Sequence, residues 1–378
     1  MASPAPADRP LPSTEEWFEL FFDLVFAVAV GIWAERLAHD ATPGSYARSV
    51  ELLLAIWWVW LGQTVFAARF PADGRAARLL AMVEVMAVGV MAADLAAGTA
   101  ASLRFPLAFV TARLALLAQY ALVRGTSAEA RGIARAYLAG FGSGAALWAL
   151  SALADAAYRP AVWLGGLAVD LAVPWVARPV LGRMPLHHRR VPVRVGAFTS
   201  LLLYLSIESI VRGFGASGWS AWTTGVGGLS FALVSTAWAI YARVNGEDMS
   251  AELGSGQPYL YAHFLVVLGA GTLSLGVRLA IEAGGPGEDA IRATAFVSAG
   301  LLLWLVGLVL IRSLVLHHRD RFWFWPFVAA AACVPLAGLV GARRLPVGTF
   351  AVFVAMLVML LVMEIRHGRP HPGRAHRL

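Results

Sequence analysis

Of 378 residues, 59% are apolar and only 14% are charged, and the mean hydropathy is +0.69. Soluble domains average about 45–50% apolar and about 25% charged residues, so disordered, fibrous and soluble globular classes are excluded and a polytopic membrane protein is expected. All 30 basic residues are arginine, and the net charge of +7 is assigned to loops facing anionic lipid rather than to a nucleic-acid surface.

Residues 1–14 hold Pro4, Pro6, Pro10 and Pro12 and no apolar run, which predicts a disordered N-terminal tail. A basic stretch leading to a small-residue cleavage site is missing there, so no removed signal peptide is expected. Ser13-Thr14-Glu15-Glu16 fits a capping box and predicts a helix start just before Trp17. Twelve apolar segments follow, at 17–37, 50–68, 79–98, 105–123, 132–153, 160–177, 194–211, 220–242, 259–281, 293–315, 323–341 and 346–364. A bilayer crossing takes about 20 residues. The expected fold is therefore all-α and polytopic, with about twelve transmembrane helices. The sixth segment is interrupted by Pro174, and residues 366–378 form a basic C-terminal tail. The single Cys333 excludes an intramolecular disulfide.

With twelve spans, both tails and the even-numbered loops share one side. That side carries 20 arginines against seven on the other, while Arg36, Arg113 and Arg278 fall within spans. Cytoplasmic loops carry such an excess, so both termini are expected in the cytoplasm. The halves 15–180 and 181–365 also resemble each other. Ala108-Phe109-Val110-Thr111-Ala112-Arg113-Leu114 in span four parallels Ala295-Phe296-Val297-Ser298-Ala299-Gly300-Leu301 in span ten. Trp57 and Trp60 parallel Trp238 and Tyr241, and Asp23 parallels Glu208. Six spans per half is an even number, so a true repeat would place the halves in one orientation about an axis along the membrane normal.

An intramembrane charge costs about 2.5–3.5 kcal/mol even on the lenient insertion scale. Glu19, Asp23, Glu84, Asp94, Asp170 and Glu208 nevertheless lie in spans, and only Arg113 and Arg278 oppose them at similar depth. Most of these acids are thus expected to be protonated, to reach water or to hold a cation. Glu19 and Asp23 share a helix face at i,i+4; Glu19 also fits an interfacial position beside Trp17. Glu208 is expected deep in span seven, or in a structural pair with Arg212 near the membrane edge. Arg113 needs a carboxylate (Glu84 or Asp94) or a substrate. Asp170 stands four residues before Pro174, whose missing N–H leaves the Asp170 carbonyl unbonded, marking either a kink or a broken-helix site. Trp57-Trp58-Val59-Trp60 fits a cavity wall and an interfacial belt alike, and His263 fits an interfacial hydrogen bonder or a titrating group.

Other patterns fail. Asp73-Gly74-Arg75-Ala76-Ala77-Arg78 opens like a phosphatidyltransferase motif, but its downstream glycine and aspartates are out of register. His187-His188 and His317-His318 lack the several spaced histidines of membrane di-iron enzymes. No Walker A loop, dinucleotide fingerprint or cysteine metal site occurs in the sequence, so no cofactor and no metal are expected.

The run Glu19-Leu20-Phe21-Phe22-Asp23-Leu24-Val25-Phe26 resembles the signature of the low temperature requirement A (LtrA) family of bacterial membrane proteins. Trp57-Trp58 with Trp60, then Arg69-Phe70 through Asp73 and Arg78, resemble its second span and following loop. Arg194, Gly196 and Phe198, then Glu208-Ser209, resemble its second signature, with departures at Arg190, Val193 and Ile207. Tyr259, Tyr261, His263 and Gly269 resemble the opening of a late span. The resemblance covers about 15–365 and implies a multi-pass protein of the bacterial plasma membrane; the family name records a cold-growth phenotype, not a mechanism.

The expected activity is secondary transport, with Asp23 as proton-exchanging carboxylate, Glu208 as its partner and Arg113 as counter-ion or ligand of an anionic substrate. The alternative is a membrane-embedded enzyme using the same acids on a lipidic or isoprenoid substrate, and a third reading is a sensor or structural protein whose charges only pair helices. The expected partners are the lipid bilayer and an unidentified small-molecule or lipidic ligand, with no nucleic acid.

Overall fold

A backbone in hydrocarbon must satisfy its own N–H and C=O groups, which leaves an apolar chain without alternating polarity one solution, the α-helix. The computed structural model describes residues 14–39, 42–70, 74–98, 102–186, 190–245, 256–315, 321–344 and 346–367. These contain α1 (Thr14–His39), α2 (Pro43–Arg69), α3 (Arg75–Ala97), α4 (Arg104–Val123), α5 (Ala128–Leu150), α6 (Arg159–Val176), α7 (Arg178–Leu181), α8 (Arg190–Ser217), α9 (Ala221–Asn245), α10 (Gln257–Glu282), α11 (Glu288–Val315), α12 (Arg321–Arg344) and α13 (Pro346–His367), and no strand among the described residues. Each predicted span is covered by one long helix, and α7 is a single turn following α6.

Eleven of these helices are long and apolar enough to cross a membrane, against the twelve expected. The long helix outside that set is α6, which has 18 residues and contains Arg159, Asp170 and Pro174. Its length of about 27 Å falls just short of the hydrocarbon thickness. The helix start expected at Ser13–Glu16 and the tail before it fall largely outside the described residues, as do Asp73, the two histidine pairs and the basic C-terminal tail. At α2 the start is visible: the Thr42 hydroxyl accepts from Ser45 N–H, the Ser45 hydroxyl accepts from Thr42 N–H, and Pro43 opens the helix.

The most deeply buried helix is α10, which packs on α1, α2, α8, α9 and α11. Its closest neighbour is α11, and small residues decide that approach. A Cβ on Gly300 would lie 2.4 Å from the Leu273 backbone nitrogen, and one on Gly269 would lie 2.6 Å from that of Trp304. Without a strong hydrophobic force between helices in lipid, such close backbone contact is a main source of cohesion.

Gly300→Leu is expected to lower the thermal unfolding midpoint sharply in detergent, because overpacking costs about 1–3 kcal/mol and here the obstacle is backbone. Gly215→Ala, where an added Cβ meets nothing within 4 Å, is expected to leave the midpoint unchanged or higher. Equal midpoints for the two variants would contradict the close packing of α10 on α11.

Candidate functional site

Arg113 on α4 and Asp170 on α6 face each other with 1% and 0% side-chain exposure, Nη2 lying 2.9 Å from Oδ2. Arg113 and the Trp58 indole are the donors that approach Asp170, yet the three guanidinium nitrogens and both carboxylate oxygens make no fully aligned hydrogen bond. Around the guanidinium stand the rings of Phe141 at 4.3 Å, Phe109 at 5.8 Å and Trp58 at 6.0 Å. Such faces attract a cation and exclude water. On α2, Gly62 leaves room beside Arg113, since a Cβ there would lie 3.2 Å from Nη1. Glu84 on α3 accepts from Gln119 at 2.5 Å, and Gln119 exchanges hydrogen bonds with Gln63. Its Oε2 has no partner.

Two cavities approach this layer from opposite ends of the same helices. One, of about 220 Å³, is lined by Arg36, Arg48, Glu51, Asp94, Phe105 and Trp163 among others. Its acid Glu51 is 8% exposed, and Oε1 has no hydrogen-bond partner. The other, of about 30 Å³, has room for roughly one water and is lined by Trp58, Gly62, Arg113, Tyr120, Tyr137 and Tyr261 among others. Along α4, Phe105 and Tyr120 are about 22 Å apart, with Arg113 between them. Stacked rings fill the space between Arg113 and the larger cavity: Trp148 lies 5.3 Å from Trp163 with parallel planes, and 4.2 Å from Phe109.

The remaining predicted residues are distributed over three other places. Glu19 and Asp23 on α1 meet Arg190 and Arg194 on α8: Arg190 reaches Glu19 at 2.9 Å, and Arg194 spans Glu19 at 3.3 Å and Asp23 at 3.4 Å. Trp60 donates to Asp23 at 2.7 Å and stacks on Phe198 at 4.3 Å. Glu208, expected deep in its span, is instead 31% exposed and holds Arg212 at 2.7 Å. It lines a crevice of about 320 Å³ with Glu35 and Arg278 and does not meet Asp23. His263 is buried, 2.8 Å from its own turn's Tyr259 carbonyl and 3.3 Å from the Tyr241 hydroxyl, rather than interfacial. Trp57 packs on Trp58 and Phe264 in the core, and Asp94 borders the larger cavity.

The expected surplus of unpaired acids is therefore mostly removed. Arginines assigned to loops, Arg190, Arg194, Arg212 and Arg312, lie on helices and reach back to the acids. A further pair was missed: Arg312 on α11 and Glu364 on α13, both 4% exposed and 2.7 Å apart, with Arg312 over Phe327. Among the described residues, Glu51 and Glu84 keep no ion-pair partner.

A family model described as "Bacterial low temperature requirement A protein (LtrA)" matches residues 15–362. The chain belongs to the LtrA family. It is accordingly a multi-pass membrane protein, and two segments that resemble LtrA signatures meet in space, the acids of α1 binding Arg194 and the Trp60 ring lying on Phe198. The LtrA chain is also 30% identical over 174 residues to RA0937 of Rhizobium meliloti (strain 1021), described as an uncharacterized protein. That match covers 44% of this chain and 42% of the relative, so the chain spans less than half of that protein's length.

Removing one partner of a buried ion pair strands the other and typically costs about 3–5 kcal/mol, whereas apolar replacement of both is close to neutral. Arg312→Met alone is expected to lower the unfolding midpoint by several degrees, and Arg312→Met with Glu364→Leu to recover most of the loss. Additive losses would mean that the two charges are not coupled.

Proposed function

We propose that this LtrA protein is a proton-coupled secondary transporter whose substrate passes between α2, α4, α5 and α6. The observation that carries the reading is the Arg113–Asp170 pair, dry and short of hydrogen bonds, between cavities that approach from opposite ends. Transport requires a site reachable alternately from two faces, with irregular or polar groups confined to the protein interior. A pair held by distance alone is poised to exchange partners, because a substrate or proton improves on contacts that are incomplete. In this reading Asp170 takes the coupling role for which Asp23 was the first candidate. Asp23 and Glu19 instead hold α1 against α8 and fix the two halves at their junction.

We also read residues 15–180 and 181–365 as two six-helix halves in the same orientation. What supports this is the packing order. The neighbours α1–α2, α1–α3, α2–α3, α2–α4, α3–α4, α4–α5 and α5–α6 have counterparts in α8–α9, α8–α10, α9–α10, α9–α11, α10–α11, α11–α12 and α12–α13. The equivalent helices α1 and α8 touch each other, as an axis between the halves requires. The arginine bias supports the cytoplasmic placement of both termini in the plasma membrane.

Cys333 is the only cysteine, so Cys333→Ser provides a background for labelling. In it, Ser49→Cys lines the larger cavity and Val65→Cys the smaller one, about 24 Å apart on α2. A membrane-impermeant maleimide is expected to label Ser49→Cys from outside only and Val65→Cys from the cytoplasmic side only. The Val65→Cys rate, normalised to an exposed Thr126→Cys control on the same cytoplasmic side, is expected to change between pH 6 and pH 8 and to lose that change with Asp170→Asn. Labelling of both sites from one face would refute the transporter and favour an enzyme with a single opening.

A further inference from the structure

The charge inventory of the Arg113 layer restricts what can enter it. Arg113 is permanently cationic at any accessible pH, is 1% exposed and lines the smaller cavity. Its Nε, Nη1 and Nη2 make no aligned hydrogen bond although a guanidinium offers five donors. Asp170 faces Arg113 from α4 and the Trp58 indole from α2, and the Gly144 backbone borders it from α5. From α10, Tyr261 donates to the neighbouring Leu171 carbonyl at 2.7 Å. Glu84 on α3 also acts electrostatically on Arg113, is held by Gln119 and does not line the cavity.

Arg113 and Asp170 together carry no net charge. An entering cation would find its one facing carboxylate already committed to Arg113 and would leave the layer with an uncompensated positive charge. An entering anion can satisfy the idle guanidinium N–H groups, but only if Asp170 gives up its own charge. In a water-excluded layer a stranded charge is far costlier than a neutral pair. The cavity is small and walled by Trp58, Tyr120, Tyr137 and Phe141, so the body of the ligand must be short and apolar.

Resting on the transporter reading, we infer that the substrate is a small monocarboxylate that enters with one proton, the carboxylate replacing Asp170 at Arg113 while Asp170 takes the proton. The step balances. One negative charge and one proton arrive together, the Arg113–Asp170 ion pair is exchanged for an Arg113–substrate ion pair, and both leave on the other side with Asp170 deprotonated again. Net charge in the layer stays zero throughout, which makes the cycle electroneutral.

Propionate binding to the purified protein, measured by calorimetry in two buffers of different ionisation heat, tests the inference. Uptake of one proton per propionate is expected, with affinity weakening by up to tenfold per pH unit as pH rises. Propylammonium, the cationic isostere, is expected not to bind. Arg113→Gln should weaken propionate binding at least tenfold, and Asp170→Asn should retain binding but remove its pH dependence. Gly62→Ala places a methyl group against Leu116 Cδ2 and Arg113 Nη1 without altering any charge, and should weaken binding several-fold even if Arg113→Gln does not fold. Propylammonium binding, propionate binding without proton uptake, or no propionate binding by a folded protein would each overturn the anion assignment. Those failures leave the transporter reading intact if Ser49→Cys and Val65→Cys still label from opposite faces; labelling from one face removes both.

Discussion

Charge pairing inside hydrocarbon is the constraint on which this structure depends. Ion pairs between helices join α1 to α8 through Glu19, Asp23, Arg190 and Arg194, α4 to α6 through Arg113 and Asp170, α11 to α13 through Arg312 and Glu364, and α1 to α10 through Glu35 and Arg278. Apolar contacts between helices in lipid are weakly directional, since lipid tails solvate leucine as well as a neighbouring helix does. A buried guanidinium has few acceptable partners, so each pair fixes which helices are neighbours and at what height. Desolvation makes such pairs poor sources of net stability. Their contribution is register.

The helices were legible in the sequence because hydropathy at this level has one structural outcome, and all twelve apolar segments became helices. The partners of the acids were not legible. The seventh segment starts at Arg194 whereas α8 begins a turn earlier at Arg190, and Arg194 and Arg312 stand at segment edges counted with the loops, so all three lie on helices. A long arginine placed one or two turns from a span's edge can reach inward along the bundle. The apparent surplus of carboxylates was a product of assigning those arginines to loops. Arg113 was correctly marked as needing a carboxylate, but the candidates Glu84 and Asp94 are on the adjacent α3; the partner comes from α6, which the sequence could not place. Glu208 illustrates the converse error, since depth along a helix does not determine which face it occupies.

In the proposed two-half reading, the halves differ around the Arg113 layer. In the second half α13 closes onto α9 and α11, whereas α6 stands further from α2 and α4. The sequence parallel that aligns Arg113 with Gly300 falls at this difference. Gly300 lets the α11 backbone touch α10, leaving no space at that level. Arg113 at the corresponding place on α4 needs an anion, and Asp170 on α6 supplies it. At the same spacing the counterpart of Asp170 is Leu357, which is fully buried. Gly300 packs against the Leu273 backbone of α10 and seals the wall there, whereas Arg113 meets Asp170 in a buried ion pair. In the proposed transport cycle, α10, which packs on α1, α2, α8, α9 and α11, is the fixed surface against which α2 moves.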